Sequence, residues 1–101
     1  LERAAANAKK FGFKYHVGNI LSSDMFYGPA KSLQGGMQWA DMGVMAVEME
    51  AAALYTNAAA AGANALAILT ISDSLITGEV TTAQERQTAF TSMMEVALSL
   101  A

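Results

Sequence analysis

Cysteine is absent from the 101 residues, so neither a disulfide nor a thiolate metal site can be built. Histidine occurs once; His16 has no second imidazole with which to share a metal, and packing or surface display is its expected role. Positive charge is scarce, with six Lys and Arg against nine Asp and Glu and a net charge of -3. Lys9-Lys10 is the only basic cluster, which argues against any nucleic-acid partner. Long hydrophobic runs are missing as well. Glu, Asn or Gly interrupts every apolar stretch, so no membrane span and no membrane partner is expected. Nothing reads as a signal peptide. The expected location is cytoplasmic, which the lack of cysteine allows. Gly35-Gly36 lacks the spacing and the following Lys of a phosphate loop.

What is present is apolar for so short a chain. Hydrophobic residues make up 53% and charged residues 15%, a balance that anticipates cover from further sequence or from other subunits. The start, Leu1-Glu2-Arg3-Ala4-Ala5-Ala6, has no initiator Met and reads as the middle of a helix. The expectation is therefore a piece of a longer protein, with residues 1–101 as one portion of a single domain.

Periodicity and punctuation order the chain. Residues 1–10 read as a helix closed by Lys9-Lys10 before Gly12. Residues 13–21 read as a strand and 27–29 as a loop. Residues 32–42 make a short helix weakened by Gly35-Gly36, and 44–48 a buried strand. Residues 50–61 form an Ala-rich helix stopped by Gly62. The run Ala-Leu-Ala-Ile-Leu-Thr-Ile at 65–71 has strand length and no polar face, as expected of a strand covered on both sides. After a loop, Thr82-Ala83-Gln84-Glu85 is a capping box. The helix it opens places Phe90, Met93, Met94, Ala97, Leu98 and Ala101 on one face. This alternation predicts an α/β fold with at least part of the sheet parallel.

Ligands of open α/β sheets gather at the carboxyl ends of strands, and three unusual segments fall there. Glu48 and Glu50 stand two apart in an apolar stretch, sharing a face if the backbone is extended. Either can simply open the next helix, where negative charge suits the dipole. A carboxylate also suits two hydroxyl donors, such as those of a sugar. Asp73 follows the apolar run directly; it can begin a turn or serve as a general acid. Arg86 lies near the start of the last helix, where the dipole disfavours a cation. It is an ordinary solvated Arg unless it faces Asp73. Glu48, Glu50 and Asp73 could hold a hard cation, but no ligand cluster is evident and no metal is expected.

These residues resemble a known family. Val47-Glu48-Met49-Glu50-Ala51-Ala52 with Ser72-Asp73 resembles the nucleoside phosphorylase and nucleosidase superfamily. Gly18-Asn19-Ile20-Leu21-Ser22-Ser23-Asp24-Met25-Phe26-Tyr27 resembles the purine-stacking segment of bacterial, hexameric-type purine nucleoside phosphorylases. Thr81 to Phe90 resembles their last helix, which nucleosidases lack in this form. The resemblance covers nearly the whole chain and places it in the carboxyl-terminal part of such an enzyme.

That resemblance implies a three-layer fold with a mixed or parallel sheet flanked by helices. It implies reversible phosphorolysis of purine (deoxy)ribonucleosides, with inorganic phosphate as co-substrate, no cofactor, and a homo-oligomer that is a hexamer in the family. Position by position it implies that Phe26 stacks on the purine, Val47 lines the base pocket and Met49 packs on the sugar. Glu50 accepts from ribose hydroxyls, with Glu48 beside it in the binding segment. Ser23 and Ser72 flank the base. Asp73 protonates N7, and Arg86 positions and tunes Asp73. Ser74 departs from the His or Asn often found after that Asp, which leaves the base preference open. The phosphate ligands of the family lie upstream of this segment. Other readings are a methylthioadenosine/S-adenosylhomocysteine-type nucleosidase, a non-catalytic nucleoside-binding module, and a structural piece that folds only in an oligomer.

Overall fold

The computed structural model describes residues 1–24 and 38–101. Its elements are α1 (Glu2–Lys10), β1 (Asn19–Ser22), β2 (Val44–Glu48), α2 (Ala51–Ala60) and α3 (Ala83–Leu98), with residues 38–41 also helical. The α/β expectation holds. The expected 32–42 helix is described only at its last residues, and the expected loop at 27–29 lies outside the described residues.

Two compact units divide the chain. One comprises Leu1–Val17, Ile68–Ser74 and Gly78–Ala101; the other comprises Gly18–Ala67 and Leu75–Thr77. In the first, α1 packs against α3. Ala4 and Ala8, one turn apart on α1, are buried, as is Val96 of α3. Polar contacts fasten the same ends: Arg3 donates to the Leu100 carbonyl, and Asn7 Nδ2 donates to Ser99 Oγ at 2.8 Å. Glu2 in the first turn and Lys9 and Lys10 in the last match the dipole of α1. Its end is a Schellman motif: the Gly12 amide donates to the Lys9 carbonyl and the Phe13 amide to that of Ala8, both at 3.0 Å. Gly12 takes φ +76, where a side chain would be strained.

α3 begins as the capping box foresees. Thr82 Oγ1 accepts from the Glu85 amide at 3.1 Å. Thr82→Ala is expected to cost about 1 kcal/mol of stability in the full-length protein, measured by denaturant unfolding. An unchanged midpoint would count against the cap. The expected apolar face of α3 is not its buried face. Phe90, Met94 and Leu98 are 43%, 50% and 75% exposed, whereas Val96 is the buried residue. A stripe at steps of three and four shows which residues share a side; which side is covered depends on the neighbours present.

In the second unit, β1 and β2 pair in parallel, with Ile20 opposite Ala46, Leu21 opposite Val47 and Ser22 opposite Glu48. Gly18 lets Met45 approach closely: a Cβ there would stand 2.2 Å from Met45 Sδ. The strand expected over 13–21 starts only at Asn19, because the ladder to β2 begins at the Asn19–Val44 pair. The run 65–71 belongs to no strand among the described residues. A strand exists only through a neighbour's amides and carbonyls, and the Ala67 amide instead donates to a side chain, Tyr55 Oη, at 2.9 Å. α2 ends in a second Schellman motif, with Gly62 at φ +64 and the Ala63 amide on the Ala58 carbonyl at 2.8 Å.

Candidate functional site

β1 and β2 are parallel and adjacent, so their carboxyl ends share one rim. That rim carries Ser22, Ser23, Val47, Glu48, Met49 and Glu50, and α2 starts directly from it. The Ser23 amide donates to the Glu48 carbonyl at 2.9 Å and extends the ladder by one bond. Val47 and Met49 are both exposed, each at 39%. Apolar side chains at the mouth of a strand pair are available to a flat or sugar-like ligand.

The two glutamates do different things. β2 ends at Glu48, the chain bends, and Glu50 stands at the N-cap position of α2 with φ -121 and ψ -22. The shared face expected of an extended Glu48-Met49-Glu50 is therefore not formed, because the helix starts before the alternation can continue. Glu48 turns back onto that helix. Its Oε2 accepts from the Glu50 and Ala51 amides, each at 2.6 Å. Glu48 Oε1 is buried with no hydrogen-bond partner among the described residues. Glu50 is exposed, and its side chain makes no capping bond.

Burial of the Glu48 carboxyl would raise its pKa. The amides of Ala51 and Glu50 and the Ser22 hydroxyl outweigh burial together and hold it below the ordinary 4.5. A depressed folded value means that stability is present in full above pH 4.5 and is lost as pH falls through the folded value. Between pH 6 and the acid side of that window, the full-length protein should lose more thermal stability than its Glu48→Gln variant. Parallel melting curves for the two proteins would contradict this. Ser22 carries none of the family motif roles above, yet it joins the network. The cue is its register: it is opposite Glu48, a pairing that sequence alone does not announce.

Asp73 and its neighbours belong to the other compact unit. An antiparallel bridge joins Asp73 to Val80, and the Thr81 amide donates to the Ser72 carbonyl at 3.1 Å. Thr81 Oγ1 donates to the same carbonyl. These bonds pin both sides of the 72–81 loop at its base. Asp73 is half-buried, and Ser72 Oγ donates to its Oδ2 at 3.0 Å. Ser72 thus touches the carboxylate directly, and its hydroxyl can donate to the ionised form or accept from the protonated one. Arg86 is half-buried in the first turn of α3, where its amide donates to the Thr82 carbonyl at 3.0 Å. No ion pair links Arg86 to Asp73 among the described residues.

Phe26, the expected stacking residue, lies outside the described residues. No group of three or more possible metal ligands occurs among them. Among the same residues no helix is long and apolar enough to cross a membrane. Two surface depressions run along α3, lined by residues such as Gln84, Thr88 and Ser92. Neither includes Glu50, Asp73 or Arg86.

Comparison with known proteins gives these residues their context. The chain is similar to the "Purine nucleoside phosphorylase DeoD-type" of Clostridium novyi (strain NT), with 54% identity over 101 residues, which is all of this chain and 42% of that protein. It is 60% identical over 87 residues to the protein of that name in Clostridium beijerinckii, covering 86% of this chain and 36% of the relative. The protein of that name in Caldanaerobacter subterraneus subsp. tengcongensis is 50% identical over 101 residues, 43% of its length. The chain thus spans less than half the length of these curated relatives. The family model described as "Phosphorylase superfamily" matches residues 1–101. With a parallel strand pair that opens directly into a helix at a carboxylate-bearing rim, and a family match running from the first residue to the last, the chain belongs to the phosphorylase superfamily.

Proposed function

We propose that the full-length protein is a purine nucleoside phosphorylase. It cleaves purine (deoxy)ribonucleosides reversibly with inorganic phosphate, giving free base and (deoxy)ribose 1-phosphate. This chain is the carboxyl-terminal portion of its single domain and supplies the base and ribose side of the site. The observation that carries the reading is similarity to DeoD-type purine nucleoside phosphorylases along all 101 residues. The exposed Glu50 carboxylate beside exposed Val47 and Met49 supports a sugar-and-base rim.

In this reading Glu50 accepts from the ribose hydroxyls and Met49 packs on the sugar. Val47 lines the base pocket, Phe26 stacks on the purine, and Ser23 and Ser72 flank the base. As the C1′–N9 bond breaks, its electron pair passes to the purine and the carboxyl proton of Asp73 passes to N7. A phosphate oxygen forms the new bond to C1′. Arg86 approaches Asp73 and tunes it. The phosphate ligands come from sequence outside this chain. Large exposed apolar residues such as Met42 and Val80, at 64% and 75%, fit cover from that sequence and from other copies in a cytoplasmic homo-oligomer.

The test is cleavage of inosine and adenosine by the full-length protein with and without phosphate. Release of base that needs phosphate supports phosphorolysis; equal release in its absence would make the protein a nucleosidase. The 101-residue chain alone is expected to be inactive, and phosphate-dependent turnover by it would overturn the assignment of phosphate ligands to the remaining sequence.

A further inference from the structure

A helix start exposes amides with no intrahelical partner, and the N-cap side chain ordinarily folds back to satisfy them. In α2 the N-cap is Glu50, and it does not do so. Glu48, two residues earlier, takes the Glu50 and Ala51 amides on one oxygen at 2.6 Å each. Ser22 Oγ takes the next amide, that of Ala52, at 3.1 Å. The register that sets Ser22 opposite Glu48 makes this arrangement possible. Three consecutive amides are thereby satisfied by residues of the two strand ends.

We propose that Glu48 is a positioning residue that acts through Glu50: by capping α2 together with Ser22, it frees the Glu50 carboxylate from the helix start and fixes the bend from which that carboxylate is presented to ligand. The proposal rests on the reading of Glu50 as the acceptor of ribose hydroxyls. Were the cap removed, the first amides of α2 would compete for the nearest carboxylate, which is that of Glu50. The helix start would fray, and the carboxylate would be drawn away from the sugar. A direct sugar contact by Glu48 is the rival role, and its Oε2 is already committed to two amides.

The experiment uses the full-length protein with Glu48→Ala and Glu48→Gln, each alone and combined with Glu50→Ala. Hydrogen exchange at the Glu50, Ala51 and Ala52 amides should speed up at least about tenfold in Glu48→Ala, as local opening of a helix end allows. Exchange should be restored in large part by Glu48→Gln, which keeps one acceptor oxygen. Unchanged exchange in Glu48→Ala would overturn the capping role. The preference in kcat/KM for a ribonucleoside over its 2′,3′-dideoxy analogue should fall about tenfold in Glu48→Ala, and by less than about twofold when Glu50 is already Ala. Additive losses would mean that Glu48 meets the sugar itself, and equal losses for both substrates would mean a merely structural role; either overturns the proposal. If Glu48→Ala does not fold, the Glu48→Gln variant carries the same comparisons, with smaller effects in the same direction. Absence of nucleoside cleavage by the unsubstituted protein would sink the functional reading alone, leaving the exchange measurement to judge the cap.

Discussion

Asp73→Asn in the full-length protein is expected to lower kcat for inosine by about 10²–10⁴-fold, the usual worth of a positioned general acid, with little change in nucleoside binding. The amide can still hydrogen-bond N7 but cannot deliver a proton, so the loss arises in the transition state. A nucleoside that already carries positive charge at N7 has no need of the proton. Its cleavage should be nearly insensitive to the substitution. An equal loss with that substrate would demote Asp73 to a binding residue. Arg86→Ala should act in the same direction by a smaller or similar factor. The double variant should fall well short of additivity, because the two residues work as a unit. The Ser72 hydroxyl on Asp73 Oδ2 gives the carboxylate one fixed partner already, and Arg86 is the second that the mechanism adds.

Glu50→Ala should cut kcat/KM for ribonucleosides by about 10²-fold, since hydrogen bonds to a charged group are among the stronger ones. Unlike the Asp73 change, it should also weaken ground-state binding, because the ribose hydroxyls are present before the reaction begins. Removing both hydroxyls from the substrate should abolish most of the difference between the variant and the unsubstituted protein. A Glu50→Ala effect of the same size on a 2′,3′-dideoxynucleoside would show that the carboxylate serves something other than the sugar.

Local signals carried much of the architecture. The Ala-rich stretch before Gly62 and the Lys-Lys pair before Gly12 are helix ends by composition, and both close in Schellman motifs with positive-φ glycine. The Thr82–Glu85 cap is likewise local, since its partners are three residues apart. Residues 44–48 are a strand as expected, but not a buried one, since Met45 and Val47 are exposed. Local signals failed where pairing decides. Residues 13–18 and 65–71 have strand-like composition, but a ladder requires a partner at the right register, and the described residues place none beside them. The face of α3 failed for a related reason: periodicity orders residues around a helix without stating which side a neighbour covers.

The candidate site divides along the same line. Sequence by itself determined that a carboxylate-rich segment follows a short strand, that an Asp follows an apolar run, and that these motifs match the phosphorylase superfamily. Those are properties of residue type and spacing. Only the tertiary structure decided that Glu48 and Glu50 part company. The bend after β2 sends one carboxylate into the helix start and leaves the other exposed. Only the tertiary structure brought Ser22 to Glu48, twenty-six residues apart in sequence but directly opposite in register. Hydrogen bonds act over about 3 Å of space, whatever the separation along the chain, so the division of labour between neighbouring glutamates is written in the strand register rather than in the motif.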